Sequence, residues 1–303
     1  MADAKLKSEE KDKLVIEEDI NVFQHTITQI SPSKQEKRKQ EEAISVDSPS
    51  KYVHHANGGR FATTERKETS LAVPFWKELN HPTPSFEFRA NEIGCFSLIG
   101  RTDDKKRFED KRYLRVYKYP LEALNVNLDL KVGESDFTFE GQSKSIDAML
   151  WWTLRHKNDI FKNNQFTFDF LSARGGIRLI MFSIFETRDD WLLAVIKFRN
   201  AYFLCECVTD TQLKVEQNMT PEVRSFRYYG HKFEEYVTKN DATTEKLNPS
   251  KQFIAVFQST IGSYRLLYSA EIDCVVERSP SMSEHIELKV CAGKSIDDLA
   301  FKQ

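Results

Sequence analysis

The chain has 303 residues and a formal charge of −2, from 44 basic and 46 acidic side chains. This near balance excludes a polycation, so any nucleic-acid binding would have to use a local patch instead of overall charge. A hydrophobic fraction of 40%, with 22 phenylalanines, is enough for a sizeable core. The longest apolar runs, such as Trp191 to Ile196, are far too short to span a bilayer, and no membrane contact is expected.

Cysteine usage and the N-terminus indicate the compartment. The five cysteines form no CxxC pair and no cluster with histidine, which favours neither a disulfide framework nor a zinc site. No N-terminal apolar segment is typical of a signal peptide. We therefore expect an intracellular, reduced and soluble protein, located in the nucleus, the cytoplasm or both.

Composition divides the chain into two parts. The first 50 residues are highly charged, and Phe23 is their one aromatic side chain. Such a segment cannot bury enough apolar surface to offset the entropy lost on ordering, so we predict a mostly disordered tail over 1–70 and one folded domain over 72–303. The tail repeats Ser-Pro-Ser-Lys around a basic run. A phosphorylatable, weakly nuclear-targeting tail and a plain solvated linker are both open interpretations.

The first strand predicted in the folded part covers 91–98, and a basic stretch with interleaved aromatic side chains follows it. That stretch contains Arg101, Lys105, Lys106, Arg107, Lys111, Arg112 and Arg115, with Phe108, Tyr113 and Tyr117 among them. Basic and aromatic side chains together suit a nucleic-acid strand, although nearby acidic residues make an ordinary exposed face the simpler interpretation.

Helices and strands then follow in a mixed order. Apolar spacing predicts a helix over 145–157 with Ser145 as its N-cap. Strands are predicted over 166–171, 191–199, 201–208, 253–258 and 265–276. A second helix is predicted over 221–238, with Pro221 at its first position and an apolar stripe of Phe226, Tyr229, Phe233 and Val237. The pattern indicates an α+β domain with a mixed central sheet flanked by helices.

Two short acidic segments near the C-terminus are the main chemical signal. Glu271 and Asp273 are two residues apart, as are Glu287 and Lys289, and we predict both pairs on strands, where such spacing places side chains on one face. Three carboxylates in a small space repel one another unless a cation compensates, and hard divalent metals prefer carboxylate oxygens. An exposed acidic hairpin is the competing interpretation on spacing alone.

Two further features favour the metal interpretation. Glu234 lies at the edge of the apolar stripe of the second predicted helix, where it can point over the sheet. Arg174 lies on a predicted glycine-rich turn after a strand, from which an arginine can reach a phosphate. Each residue on its own is more simply a solvated surface residue.

Taken in order, these segments resemble the decapping and exoribonuclease family, called DXO or Dom3Z in animals. The resemblance is carried by Glu92–Leu98, Arg174-Gly175, Trp191–Arg199, Gly230–Glu234, Glu271–Cys274 and Glu287–Lys289. It implies a metal-dependent nuclease fold of the PD-(D/E)xK type. It also implies removal of incomplete caps, NAD caps and 5′-triphosphates from RNA, with 5′–3′ exoribonuclease activity.

The resemblance also assigns roles to residues. It implies that Glu234, Glu271, Asp273 and Glu287 bind Mg²⁺ or Mn²⁺ with the Leu288 carbonyl, and that Glu234, Asp273, Glu287 and Lys289 are catalytic. The implied substrate-binding residues are Arg174, Ala173, Gly175, Glu271, Lys289 and Arg101. The expected partners are RNA 5′ ends and, as in some members, a 5′–3′ exoribonuclease. The protein itself is expected to be a monomer.

Departures from the family pattern leave other functions open. Ala173 stands where members usually have tryptophan, and the chain ends at Gln303 without the downstream Trp-x-Gln segment of the family. We therefore expect a C-terminally shortened member. An RNA 5′-end-binding or regulatory protein with impaired catalysis is the alternative function, and a DNA nuclease of the same metal-site class is a third.

Overall fold

The computed structural model of the chain describes residues 88–100, 106–118, 128–137, 146–163, 165–186, 189–238, 247–279 and 282–291. The predicted tail over 1–70 and the candidate substrate residue Arg101 lie outside these ranges, so the predictions about them remain predictions.

Five helices and eleven strands make up the regular structure of the described residues. In chain order they are β1 Asn91–Ile99, β2 Lys106–Phe108, α1 Asp147–Arg155, α2 Lys157–Ile160, β3 Phe161–Lys162, β4 Gln165–Phe166, β5 Phe170–Ala173, α3 Arg174–Phe182, β6 Leu192–Phe198, β7 Ala201–Cys207, α4 Asp210–Gln217, α5 Pro221–Thr238, β8 Gln252–Ile261, β9 Tyr264–Glu271, β10 Cys274–Ser279 and β11 Met282–Ile286. One 3₁₀ turn, Glu134–Asp136, lies between β2 and α1.

Seven strands form one mixed sheet in the order β2-β1-β8-β9-β5-β7-β6. Strand β5 runs parallel to β9 and β7, whereas every other pair in this sheet is antiparallel. Strands β10 and β11 form a separate antiparallel hairpin. The predicted α+β class with a mixed central sheet is therefore confirmed.

Helix α1 packs its apolar face on the sheet. Trp152 is only 2% exposed and lies against β1, where a Cβ atom added at Gly94 would come within 2.5 Å of its ring. Glycine at position 94 is therefore required by the close approach of the helix. The main core continues from Trp152 through Phe96, Met149 and Leu171.

A short segment, residues 115–118, ties helix α5 to the hairpin. The Val275 amide donates to the Arg115 carbonyl at 2.9 Å, and the Lys118 amide donates to the Val237 carbonyl at 3.0 Å. Tyr117, Val237 and Cys274 form a small core at this junction. The junction sets the position of α5 relative to the start of β10.

Three predicted boundaries were wrong because tertiary contacts override local propensity. The predicted strand over 166–171 is split into β4 and β5. The predicted strand over 265–276 is interrupted at Ile272 and Asp273, between β9 and β10. The first predicted helix begins later, with Ile146 instead of Ser145 at its N-cap position.

Two helices carry further corrections. The predicted turn at Arg174 is the first turn of α3, and Gly176 packs so closely on Ser172 that an added Cβ atom would lie 2.5 Å from its hydroxyl. The bounds of α5 match the prediction, and the Thr220 hydroxyl accepts from the Val223 amide at 3.4 Å. Phe226, however, is 56% exposed and does not belong to the buried stripe. No helix in the described ranges has the length and apolarity needed to cross a membrane.

Candidate active site

A cavity of about 390 Å³ lies where the sheet, α1, α3, α5 and the β10–β11 hairpin meet. Its charged lining consists of Glu234, Glu271, Asp273 and Glu287 together with Arg174, His231 and Lys289. Ala173 and Gly175 also line it. Its apolar side is formed by Phe96, Leu98, Ile146, Ala148, Met149 and Ile254. The structure therefore brings the predicted site residues among the described ranges into one place, except Leu288, which binds Asp273 through its backbone.

Asp273 and Glu287 lie at the open end of the hairpin. Cys274 and Ile286 form the pair at the open end of β10 and β11. Asp273 directly precedes β10 and Glu287 directly follows β11. The Leu288 amide donates to Oδ2 of Asp273 at 2.7 Å and closes this end. The prediction that Asp273 and Glu287 lie on strands was wrong, because regular strand pairing stops before both residues. Both carboxylates still line the cavity.

The electrostatic environment of Asp273 is that of a crowded acidic site. Burial raises the pKa of its carboxyl group, and the negative charges of Glu234 and Glu287 raise it further. The hydrogen bond from the Leu288 amide and the charge of Lys289 act in the opposite direction but do not outweigh burial. Asp273 is therefore close enough to two other carboxylates to be repelled by them.

Glu234 projects from α5 and has two basic side chains beside it. Its side chain is 20% exposed, and Arg115 Nη1 lies 2.9 Å from its Oε2 atom. His231 Nδ1, one turn earlier on the helix, lies 3.8 Å from the same oxygen. Burial raises the pKa of Glu234, but the hydrogen bonds and charges of His231 and Arg115 leave it below its usual value. The ionised form is therefore favoured.

Glu271 is the last residue of β9 and is oriented by a neighbour on β8. The side-chain amide of Gln252 donates to Oε2 of Glu271 at 2.7 Å, and both residues line the cavity. Gln252 was missed in the sequence because a lone glutamine at a strand start has no distinguishing signal. Its role follows only from the pairing of β8 with β9.

Arg174 occupies the N-terminal turn of α3. Ala173 precedes it in an extended conformation at the N-cap position. The guanidinium is 57% exposed, with Nη2 3.6 Å from Oε1 of Glu287. A Cβ atom added at Gly175 would lie 3.1 Å from Oε2 of Glu206, so glycine keeps this turn close to β7. An arginine beside free amides at a helix N-terminus suits an anion such as phosphate.

Lys289 completes the cationic side of the cavity. Its ammonium lies 2.5 Å from Oε1 of Glu287, the same oxygen that Arg174 approaches. Burial lowers the pKa of Lys289, but the hydrogen bond and charge of Glu287 outweigh it and leave the pKa above its usual value. Lys289 is therefore a cation at any physiological pH.

The sequence model of the RAI1 like PD-(D/E)XK nuclease family matches residues 89–298, more than half of the chain. The chain belongs to this family. The match extends from β1 past Lys289, and it therefore includes every strand of the central sheet and the described residues of the cavity. The predicted resemblance is confirmed at the level of family and fold.

Curated relatives of the chain are decapping nucleases. The human decapping and exoribonuclease protein is 28% identical over 250 residues, which cover 74% of this chain and 62% of that protein. The decapping nuclease dom-3 of Caenorhabditis elegans is 28% identical over 235 residues, covering 70% and 56% respectively. The chain thus spans about 56–62% of the length of these two relatives.

Solved structures of RAI1-like proteins share the fold. The Candida albicans Rai1 structure, in complex with pU5-Mn²⁺, has a TM-score of 0.50 at 20% identity and covers 65% of this chain and 57% of its own. The Scheffersomyces stipitis Rai1 structure, in complex with (3′-NADP)⁺ and a calcium ion, has the same TM-score and identity, and the match covers 63% of this chain and 54% of that one. These similarities support the PD-(D/E)XK nuclease fold.

The PD-(D/E)XK nuclease fold is metal-dependent. Among the described residues, no group of three or more His, Cys, Asp or Glu side chains is arranged as a ready metal-binding cluster. The cavity nevertheless contains four carboxylates, the hard oxygen donors that divalent cations prefer. Two of them, Glu234 and Glu287, lie close enough to Asp273 that their negative charges raise its pKa. This donor set fits a divalent cation.

Arg115 and His231 are two further neighbours of the site that the sequence did not assign. Arg115 belongs to the basic stretch of residues 101–117, where nothing in the sequence distinguishes it from the other arginines. Only the junction of residues 115–118 with α5 brings it to Glu234. His231 lies one turn before Glu234, a spacing that could have indicated a shared helix face.

Proposed function

We propose that the protein is a metal-dependent hydrolase of RNA 5′ ends. It removes incomplete caps and NAD caps, releases pyrophosphate from 5′-triphosphates and degrades RNA from the 5′ end. The observation that carries the proposal is the single cavity in which four carboxylates face Arg174 and Lys289. A metal-ligand set beside an anion-binding set is what phosphate-ester hydrolysis requires. Family membership and the names of the curated relatives support this reaction class.

Asp273, Glu287 and Glu234 would hold a divalent cation, Mg²⁺ or Mn²⁺, with the carbonyl of Leu288. Glu271 would join this set directly or through water, since Gln252 occupies one of its oxygens. Oxygen donors of this kind suit both ions. The chemistry that such a cation supplies is polarisation of a phosphate oxygen and a lower pKa for the attacking water.

Arg174 would bind the phosphates at the RNA 5′ end. Its guanidinium is largely exposed at the N-terminus of α3 and can leave Glu287, from which it is 3.6 Å away, for a phosphate. The first turn of α3 has no side-chain cap, and the backbone amides of such a helix end favour a negative charge. Gly175 lets the RNA backbone approach this turn closely.

Lys289 would act on the reacting phosphate itself. Its ammonium is fixed by Glu287 at 2.5 Å and remains charged, so it is a permanent donor at the wall of the cavity. From there it can orient the attacking water and neutralise the negative charge that develops on the phosphate in the transition state. The water oxygen forms a new bond to phosphorus and gives up a proton to solvent, while the bond between phosphorus and the leaving oxygen breaks and that oxygen takes up a proton from solvent.

The test is a panel of RNAs that differ only at the 5′ end: triphosphate, unmethylated cap, NAD cap and monophosphate. Each is incubated with the full chain and Mg²⁺ or Mn²⁺, and release of pyrophosphate, cap, NAD or mononucleotides is measured. We expect products with at least one of these ends, and loss of product by 10²-fold or more on Asp273→Ala or Glu287→Ala. Asp159→Asn, on the exposed end of α2, is the matched control.

Two other results would change this assignment. Equal turnover by Asp273→Ala, Glu287→Ala and the unaltered chain would exclude the proposed site. Binding of 5′-phosphorylated RNA without any hydrolysis would favour the alternative function, an RNA 5′-end-binding protein. Fluorescence anisotropy with the same RNAs measures that binding, and a matched DNA strand distinguishes an RNA enzyme from a DNA nuclease.

A further inference from the structure

Arg115 is fixed in place by its backbone. The Val275 amide donates to its carbonyl at 2.9 Å, and two residues later the Tyr117 amide donates to the Val275 carbonyl at 2.8 Å. The segment therefore pairs with the start of β10, immediately after Asp273. Because Lys118 also binds the end of α5, the guanidinium projects from a rigid bridge between the two elements that carry Glu234 and Asp273.

The contacts of Glu234 are asymmetric. Arg115 Nη1 is 2.9 Å from Oε2, and His231 Nδ1 is 3.8 Å from the same atom. Within the described ranges, no hydrogen bond or ion pair engages Oε1. Glu234 and His231 line the cavity, whereas Arg115 does not. Arg115 thus binds Oε2 of Glu234 from outside the cavity, and Oε1 has no hydrogen-bond or ion-pair partner among the described residues.

We propose that Arg115 is a positioning residue that holds Oε2 of Glu234 so that Oε1 is presented to the cavity as a single-oxygen ligand for a divalent cation. The inference rests on the proposed function, because it assigns a partner to one of the proposed metal ligands. Outer partners that orient a ligating carboxylate commonly change metal affinity by about 10- to 100-fold when they are removed.

A simpler role for Arg115 makes the opposite prediction. If the guanidinium only neutralised Glu234, its removal would make the cavity more negative, and a divalent cation would bind more tightly. If it orients the carboxylate, its removal frees the Glu234 side chain to rotate, and the cation binds more weakly. The sign of the change in affinity therefore separates the two roles without any measurement of activity.

The experiment is a calorimetric titration of the full chain with Mn²⁺ alone. We expect Arg115→Gln to weaken Mn²⁺ binding by about 10- to 100-fold and Arg115→Lys, which keeps the charge and one donor, to recover part of the loss. Arg112→Gln is the matched control, since Arg112 lies three residues before Arg115 but binds Asp110 at 2.6 Å and does not line the cavity. Its Mn²⁺ affinity should equal that of the unaltered chain.

Repeating the Arg115 substitution in a Glu234 variant tests whether Arg115 acts through Glu234. In Glu234→Gln, Arg115→Gln should cause no further loss of Mn²⁺ affinity, because the carboxylate that it positions is already removed. An equal loss in both backgrounds would overturn the inference, as would unchanged or tighter binding by Arg115→Gln. Thermal unfolding of each variant checks that the fold is retained, and Arg115→Lys provides the test if Arg115→Gln does not fold.

The same titration distinguishes failure of this inference from failure of the proposed function. If the unaltered chain binds Mn²⁺ and Arg115→Gln binds it equally well, Arg115 is not a positioning residue and the metal site stands. If the unaltered chain binds no Mn²⁺ while its thermal unfolding is cooperative, the proposed metal-dependent function is contradicted, and the role of Arg115 is contradicted with it.

Discussion

At the scale of single residues, the cavity is defined by how its charges are paired. Arg115 and His231 contact one oxygen of Glu234, while Arg174 and Lys289 contact one oxygen of Glu287. Each glutamate therefore keeps one oxygen that no described partner engages. The pair of Glu234 with Arg115 is the more buried of the two sets, and screening by water is weaker there than around the exposed Arg174 and Lys289.

Replacing Arg174 should affect substrate recognition more than the fold. We expect Arg174→Gln to lower kcat/KM for 5′-phosphorylated RNA by about 10- to 100-fold, because it removes a charge-assisted contact of about 1.5–3 kcal/mol with the phosphate. Steady-state kinetics with Mn²⁺ measure this. Arg178→Gln, one turn along the same helix and outside the cavity, is the matched control and should have no effect. Equal losses in both variants would contradict the role of Arg174.

Asp169, the residue directly before β5, makes the free energy of unfolding depend on pH. It accepts hydrogen bonds from the Arg265 backbone amide at 2.8 Å and from Arg265 Nη2 at 2.9 Å. The side-chain hydrogen bond from Arg265, followed by the backbone one, lowers the pKa of Asp169. A lowered pKa in the folded state stabilises the protein above the ordinary aspartate pKa of about 3.9 and loses that effect as the pH falls through the lowered value.

Asp169→Asn should therefore destabilise the protein at neutral pH by about 1 kcal/mol, a modest value because the pair is partly exposed. The difference in unfolding free energy from the unaltered chain should stay constant down to about pH 5 and shrink as the pH falls below about 4. Urea denaturation at several pH values measures it. A difference that grows in acid would contradict the assignment.

At the scale of elements, α3 shows how packing places a functional residue. Arg174 reaches the cavity only because α3 begins directly after β5, with no intervening turn. Gly176 permits this, because a Cβ atom there would lie 2.5 Å from the Ser172 hydroxyl and 3.6 Å from Leu193. The two glycines that indicated a turn in the sequence are instead the reason that helix and strand lie so close together.

Gly176→Ala should lower the free energy of unfolding by about 1–3 kcal/mol, because the added methyl group overpacks the contact between α3 and β5. Chemical denaturation measures this loss. Gly230→Ala is the matched control within a helix, since an added Cβ atom there meets no described atom within 4 Å. It should raise stability by about 0.5–1 kcal/mol, the usual gain when alanine replaces a helical glycine.

The steric explanation can be tested separately. Ser172→Gly in the Gly176→Ala background removes the hydroxyl that the new methyl group would contact, and it should restore part of the lost stability. If Gly176→Ala is as stable as the unaltered chain, the close approach of α3 to β5 does not depend on glycine. If Ser172→Gly deepens the loss, the clash is with another atom.

At the scale of the whole molecule, the cavity joins parts of the chain that are far apart in sequence. Its lining extends from Phe96 on β1, through Arg174 and Glu234, to Lys289 after the hairpin. No single element contains a complete site. A ligand that binds there must therefore link the central sheet, three helices and the hairpin, and it stabilises all of them together.

Divalent cations should consequently raise the stability of the whole folded domain. At 100 times its Kd, Mn²⁺ should add about 2.7 kcal/mol to the free energy of unfolding, which is visible as a higher Tm. Glu287→Gln should lose most of this increase. Hydrogen exchange should show protection in α5 and in the hairpin together. An equal rise in Tm for Glu287→Gln would indicate that Mn²⁺ binds elsewhere.

Much of the fold could be predicted because its signals are local. The bounds of α5 match the expected helix, since Pro221, Thr220 and the spacing of Phe233 and Val237 act within a few turns. Strands β6 and β7 match as well, and the tight connection at Arg199 and Asn200 has the positive φ values that such a turn needs. Where tertiary packing decides which side chains are buried, local spacing can fail: it predicted Phe226 on the buried face of α5, but Phe226 is exposed.

The sequence by itself selected the candidate site residues: Glu234, Glu271, Asp273, Glu287 and Lys289 were predicted from their types, spacing and order and from the family resemblance that they support. Only the tertiary structure decided how they meet. Asp273 lies between β9 and β10 and Glu287 directly after β11, where regular pairing stops, and both line the cavity. Arg174 lies at a helix N-terminus instead of a turn. Arg115 and Gln252 join the site through strand and helix contacts between distant segments, and such contacts leave no local pattern in the sequence.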